Sequence, residues 1–167
     1  MSGIVSYGVY LPYWRLQRSA IAAALGTAGG KGTRSVASYD EDTTSMGVEA
    51  ARRALAAAPA HYVPSIVAFA TTEPAYLDKT NANAIHAALA LPSSSGAVDS
   101  IGSVRSAGGA IMIAGLREGL AVISDIRTGL PGGADEAGGG EALRSMRSSL
   151  SRSALVFMNP CGAGYGK

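Results

Sequence analysis

A single carboxylate, Glu73, follows the strand-like run Ser65-Ile-Val-Ala-Phe-Ala-Thr71 and stands just ahead of Pro74-Ala-Tyr-Leu-Asp78-Lys79-Thr80. An acid at the carboxyl end of an apolar strand lies where open α/β sheets gather their chemistry, and a carboxylate there can carry a proton. By position alone a solvated loop acid fits equally well. The other reactive residue types are sparse. His61 and His86 stand apart, Cys161 is the only cysteine, and no metal-ligand spacing connects them. A lone cysteine also excludes an internal disulfide. His86, flanked by Ile85 and Leu89, is expected at the surface. Gly29-Gly30-Lys31-Gly32 lacks the terminal Gly-Lys-Ser/Thr of a phosphate-binding loop and reads as a turn.

The elements that must position Glu73 follow from apolar spacing. Residues 3–10 read as a strand rich in β-branched and aromatic residues, stopped by Leu11-Pro12. A helix is expected at 16–25, with Gly26 at its end. Asp40-Glu41-Asp42 precedes a strong helix at 44–58, where the helix dipole favours negative charge, and Glu49 and Arg53 form an i,i+4 pair on it. The strand at 65–71 leads to a helix at 79–91, capped by Asp78 or Thr80. A short strand at 97–99 precedes a segment at 103–118 that is apolar nearly all round, which predicts a helix buried on every side. A strand at 120–124 completes the series. Strands alternating with helices predict an α/β fold with a mainly parallel sheet and helices on both faces.

The chain has 167 residues, 47% of them hydrophobic and 16% charged, enough for one globular domain with a real core. A net charge of +2 is too small to indicate nucleic acid. Residues 1–140 carry ten Lys and Arg against eleven Asp and Glu, whereas 141–167 carry four against one, so the basic excess belongs to the tail. Residues 1–136 read as the domain. Residues 137–167 read as an irregular, poorly ordered, basic Ser/Gly/Arg-rich tail, with one candidate strand at 154–158. No signal-like segment or membrane-length apolar run is visible, so the expected setting is cytoplasmic, with no membrane partner.

Taken in order, these pieces resemble the amino-terminal half of the hydroxymethylglutaryl-CoA synthase branch of the thiolase-like superfamily. Gly3-Ile-Val-Ser-Tyr-Gly-Val-Tyr-Leu-Pro12 is similar to its opening strand. Asp40-Glu-Asp-Thr-Thr-Ser-Met-Gly-Val-Glu-Ala-Ala-Arg52 resembles a helix of its prokaryotic members. Thr72-Glu73 followed by Asp78-Lys79-Thr80 resembles a further segment, and Asp99 leading into a Gly-rich helix resembles the strand, turn and helix that present the nucleophile. The resemblance covers about residues 1–135.

It implies a fold of two similar halves, dimerisation through the amino-terminal half, and acyl transfer from CoA to a cysteine followed by attack of an acetyl-CoA enolate. The CoA thioester is then a substrate, with no covalently bound cofactor and no metal. Glu73 matches the family's general acid/base, a role that needs a partly desolvated carboxylate. The family cysteine lies five residues after the strand aspartate; that count from Asp99 reaches Val104. Ser103 is a candidate substitute nucleophile, and Arg105, at the helix start, is a candidate for binding a CoA phosphate. The histidine and asparagine of the family's oxyanion site belong to a carboxyl half that this sequence does not match. With the break in pattern near residue 137, this leads to the expectation of a truncated or frame-shifted chain, inactive alone and prone to associate through uncovered apolar surface. Three readings are thus open: an acyl-CoA condensing enzyme, a non-catalytic thiolase-like subunit, or a pseudogene-like product with no activity. For the non-catalytic subunit, the resemblance implies an OB-fold, zinc-ribbon acyl-CoA-binding protein as partner.

Overall fold

A computed structural model describes residues 4–26 and 31–126, together with the backbone of 154–158. The elements are β1 (Tyr7–Tyr10), β2 (Trp14–Gln17), α1 (Arg18–Leu25), β3 (Thr33–Val36), α2 (Thr43–Ala56), β4 (Ile66–Thr71), α3 (Asn81–Ala88), β5 (Gly96–Ile101), α4 (Ser106–Leu116), β6 (Leu120–Ile123) and β7 (Ala154–Met158). The main sheet has the order β1-β7-β6-β4-β5. β4 runs parallel to β5 and β6, and β7 is antiparallel to both β6 and β1, so every strand of this sheet but β7 points the same way. The candidate strand at 154–158 therefore forms inside the sheet. Apart from it, residues 127–167 lie outside the described residues, and so does Cys161.

Each face of the sheet has its own core, set by the period-2 alternation of the strands. Val67 and Phe69 of β4 and Leu120 and Val122 of β6 face Met46, Ala50 and Ala54 of α2 and Ile85 of α3. The intervening Ala68, Ala70 and Ala121 face Ala110 and Ala114 of α4. Alanine on both sides of that second contact lets α4 lie close to the sheet. The expectation that α4 is buried on every side is corrected. Its outer flank exposes Ile111 by 42%, Met112 by 64% and Leu116 by 74%, because it packs on the sheet through its alanines and no described element covers the rest.

A second correction falls on 16–25. Residues 14–17 are β2, paired antiparallel with β3 from Trp14↔Val36 to Gln17↔Thr33, and the helix begins only at Arg18. All of β2 is exposed, so no burial alternation marks it in the sequence; its order comes from a partner strand far along the chain. Gly26, at φ 65°, closes α1 as expected, its N–H donating to Ala22 O.

α2 begins with a full capping box: Ser45 N donates to Asp42 Oδ1 at 2.6 Å, and Asp42 N donates to Ser45 Oγ at 2.8 Å. The Arg53–Glu49 ion pair forms at 3.1 Å on its exposed side. β1 crosses α2 almost backbone to backbone. A Cβ at Gly8 would run into Ala50 O and lie 2.5 Å from Ala54 N, while Ser6 Oγ donates to Ala54 O at 2.8 Å beside it. Because the obstruction is helix backbone, Gly8→Ala is expected to cost about 2 kcal/mol through overpacking, read as a lower urea midpoint with unchanged slope. Gly108→Ala is the contrast. A Cβ there meets nothing within 4 Å, and replacing this first-turn glycine should stabilise by up to about 0.5 kcal/mol.

Candidate functional site at the carboxyl edge of the parallel strands

The adjacent strands β6, β4 and β5 run parallel and end in register, with Thr71 opposite Ile101 and Ala70 opposite Ile123. Each is followed two residues on by a polar side chain: Asp125 after β6, Glu73 after β4, Ser103 after β5. Glu73 is thus flanked by the other two at one edge, where sheets of this kind bind ligands. Val104 and Arg105 come next in the turn that enters α4. The structure therefore gathers Glu73, Ser103, Val104 and Arg105 at one edge of the sheet.

The turn after β5 depends on Gly102. Its φ of 107° belongs to the region that favours glycine, and its N–H reaches Thr71 O at 3.3 Å, tying the turn to β4. One tight turn follows: Ser106 N donates to Ser103 O at 3.0 Å and Gly108 N to Arg105 O at 3.0 Å. Arg105 is the N-cap residue of α4 and makes no side-chain cap hydrogen bond. Val104 is 72% exposed just ahead of the helix. Valine offers no nucleophile and no exchangeable proton, so the helix dipole at this end acts on an inert side chain.

The backbone of Glu73 is held at both ends. Its N–H donates to Thr71 Oγ1 at 3.1 Å, and its carbonyl accepts from Thr43 Oγ1, the first residue of α2, at 2.9 Å. Its side chain is exposed, so the described residues do not provide the desolvation that a proton-transfer carboxylate needs. His61 precedes the amino end of β4, at the opposite edge, and His86 lies in the last turn of α3 with a ring nitrogen 3.1 Å from Pro92 O. Neither reaches the edge that carries Glu73.

Asp99 ties β5 to the start of α3. Its carboxylate turns away from α4 and caps α3, accepting from Asn81 N and Ala82 N, each at 2.7 Å, and from Asn81 Nδ2 at 3.0 Å. The cap expected from Asp78 or Thr80 is therefore supplied by the neighbouring strand. Thr80 is the N-cap residue but makes no side-chain cap bond. Asn81, fully buried, also accepts from Thr44 Oγ1 at 3.2 Å and Tyr76 N at 3.0 Å, and donates to Tyr76 O at 3.0 Å. This network pins the loop after Glu73 to β5 and α2. The loop lines a hollow of about 390 Å³ with Tyr76, Leu77, Asp78, Lys79, Asp99 and Ile101, and the Lys79 ammonium sits 3.7 Å over the Tyr76 ring. Glu73, Ser103, Val104 and Arg105 are not among its lining residues.

A larger hollow, about 720 Å³, opens at the end of β1 between Tyr10, Tyr13, Trp14, Arg15 and Arg53. Tyr10 donates to Glu41, and that hydrogen bond, with burial, pushes its phenol up to about 12. The Arg15 and Arg53 guanidiniums are already engaged, by backbone carbonyls of 12–14 and by Glu49 with Val9 O. Among the described residues no group of three or more His, Cys, Asp or Glu side chains could hold a metal ion, and no helix is long and apolar enough to cross a membrane.

Asp125 joins these residues at the same edge, and the sequence pattern alone does not single it out. It follows an apolar strand just as Glu73 does, and parallel strands bring such acids to one edge.

No protein-family model matches the chain, and no curated protein matches it. Solved structures do. An HMG-CoA synthase complexed with CoA is similar over 95% of this chain and 41% of its own, with 18% identity and a TM-score of 0.79. MvaS in complex with 3-hydroxy-3-methylglutaryl coenzyme A matches over 95% and 39%, with 18% identity and a TM-score of 0.76. The 3-oxoacyl-(acyl carrier protein) synthase III of Pseudomonas aeruginosa PAO1 matches over 96% and 50%, with 22% identity and a TM-score of 0.73. The chain thus spans half or less of the length of these proteins, while the likeness reaches beyond the 1–135 stretch that carries the sequence resemblance. With the strand order and the two helix layers above, the chain has a partial thiolase-like fold, the architecture of HMG-CoA synthases and type III ketoacyl synthases.

Proposed function

We propose that the chain is a thiolase-like unit that binds acyl-CoA and forms no acyl-enzyme. Val104 carries this reading. It stands at the amino end of α4, where the resemblance puts the reactive thiol, and it has no group that an acyl chain can join. Ser103, beside it, has no base from the described residues assigned to it, and the two histidines lie elsewhere. Arg105 supplies positive charge for a CoA phosphate. The accompanying setting is cytoplasmic and homo-oligomeric. An OB-fold, zinc-ribbon partner belongs to the reading through the family resemblance alone.

A second reading, an HMG-CoA synthase-like condensing acyltransferase with Glu73 as general acid/base, is favoured by one observation. The Glu73 backbone is fixed at both ends while its side chain stays free.

Labelled acetyl-CoA separates the two. The expected result is saturable, reversible binding with no label left on the chain after denaturation. Label that survives denaturation, and disappears in Ser103→Ala, would overturn the non-covalent reading in favour of the condensing one.

A further inference from the structure

The Asp125 carboxylate draws three donors onto one oxygen. Oδ1 accepts from Thr72 N at 2.7 Å, Thr72 Oγ1 at 2.7 Å and Thr71 Oγ1 at 3.2 Å. Thr71 is 2% exposed and has one hydroxyl proton. Spending that proton on Asp125 leaves the Thr71 oxygen lone pairs facing the Glu73 N–H, which donates to it at 3.1 Å. The far side of Glu73 is closed by Thr43, which is 2% exposed and donates to the Glu73 carbonyl. Elements from β6, β4 and α2 thus converge on the backbone of a residue whose side chain is exposed.

None of these bonds serves Asp125's own strand. β6 ends at Ile123, and the carboxylate crosses to the neighbouring strand end. It orders the hydroxyl of Thr71 and, through it, the amide of Glu73.

We propose that Asp125 is the positioning residue of Glu73, acting through Thr71 and Thr72. The functional part of the proposal rests on the second reading above, in which Glu73 works at an acyl-CoA site; the positioning part does not. The charged acceptor sets the direction of the Thr71 hydroxyl, the hydroxyl sets the Glu73 amide, and the amide with Thr43 sets where the carboxylate leaves the sheet.

The test follows amide hydrogen exchange by NMR on the full chain, together with acetyl-CoA affinity. In Asp125→Ala, exchange at Thr72 and Glu73 should rise about tenfold, the fold-change of one lost charge-assisted hydrogen bond, while Ala68 and Phe69 inside β4 stay unchanged. Asp125→Asn, which keeps a carbonyl acceptor, should fall between. Thr71→Val keeps the shape, breaks only the relay, and should quicken Glu73 more than Thr72. It also serves if Asp125→Ala does not fold. Acetyl-CoA affinity should weaken in Asp125→Ala, and adding it to Glu73→Gln should cause no further loss, because the one residue acts through the other. Unchanged Glu73 exchange in both Asp125→Asn and Thr71→Val overturns the proposal, as do additive affinity losses. A native chain that binds no acetyl-CoA overturns the functional reading instead, and the exchange result still decides the positioning.

Discussion

Asp99→Ala is expected to lower the unfolding free energy by about 3 kcal/mol, the sum of a lost helix cap and of hydrogen bonds to a charged acceptor. α3 is eight residues long, Asn81–Ala88, with no acid in its first turn and no cap from Thr80. Asp99 is therefore the acceptor that satisfies its first two amides. The loss extends past the helix, because Asn81 is fully buried and its Nδ2 keeps only Tyr76 O once the carboxylate is gone. Asp99→Asn retains one oxygen but turns an N–H₂ toward donors, and should cost about 1–2 kcal/mol. Urea denaturation measures both. The same variants should speed amide exchange at Asn81 and Ala82 and loosen the Tyr76 loop that lines the 390 Å³ hollow. An Asp99→Ala midpoint within error of the native one would mean that the carboxylate does not carry this cap.

Asp99 also illustrates how far the sequence could be read. The strands and helices of the βα series stand within a few residues of their expected ends, because each buries a face and so shows its period locally: β4 at Ile66–Thr71 against 65–71, α2 at Thr43–Ala56 against 44–58. What escaped was set by partners distant in the chain. β2 is exposed throughout and is a strand only because β3 pairs with it. Asp99 caps a helix that begins 18 residues earlier, on the strength of β5 lying beside α3. α4 reads as apolar all round in the sequence, and which flank would be covered depended on the alanines of β4 and β6. Glu73 was found from its place at a strand end. The clamp on it could not be, since Thr43, Thr71 and Asp125 meet only after three elements have packed.

Removing residues 137–167 should abolish cooperative unfolding, because that segment holds β7. Its strand pairs on one side with β1, from Tyr7↔Phe157 to Tyr10↔Ala154, and on the other with β6, from Leu120↔Met158 to Ile123↔Leu155. β1 has no other partner in the main sheet, so the shortened chain loses both strands together. β6, buried from Leu120 to Val122, would become an open edge with a row of unpaired backbone groups. An irregular tail would be dispensable; an inner strand is not. Val156→Pro sharpens the test without deleting anything. Val156 pairs with both Gly8 and Val122, so a ring that fixes φ near −65° and removes the N–H falls in the middle of the sheet, at a cost of about 3 kcal/mol or more. Thermal melts followed by far-ultraviolet dichroism, with dye binding to report exposed apolar surface, decide the matter. A 1–136 chain that melts cooperatively within about 5 °C of the full chain would remove β7 from the fold's core, since a loss of even a few kcal/mol shifts a protein of this size further than that.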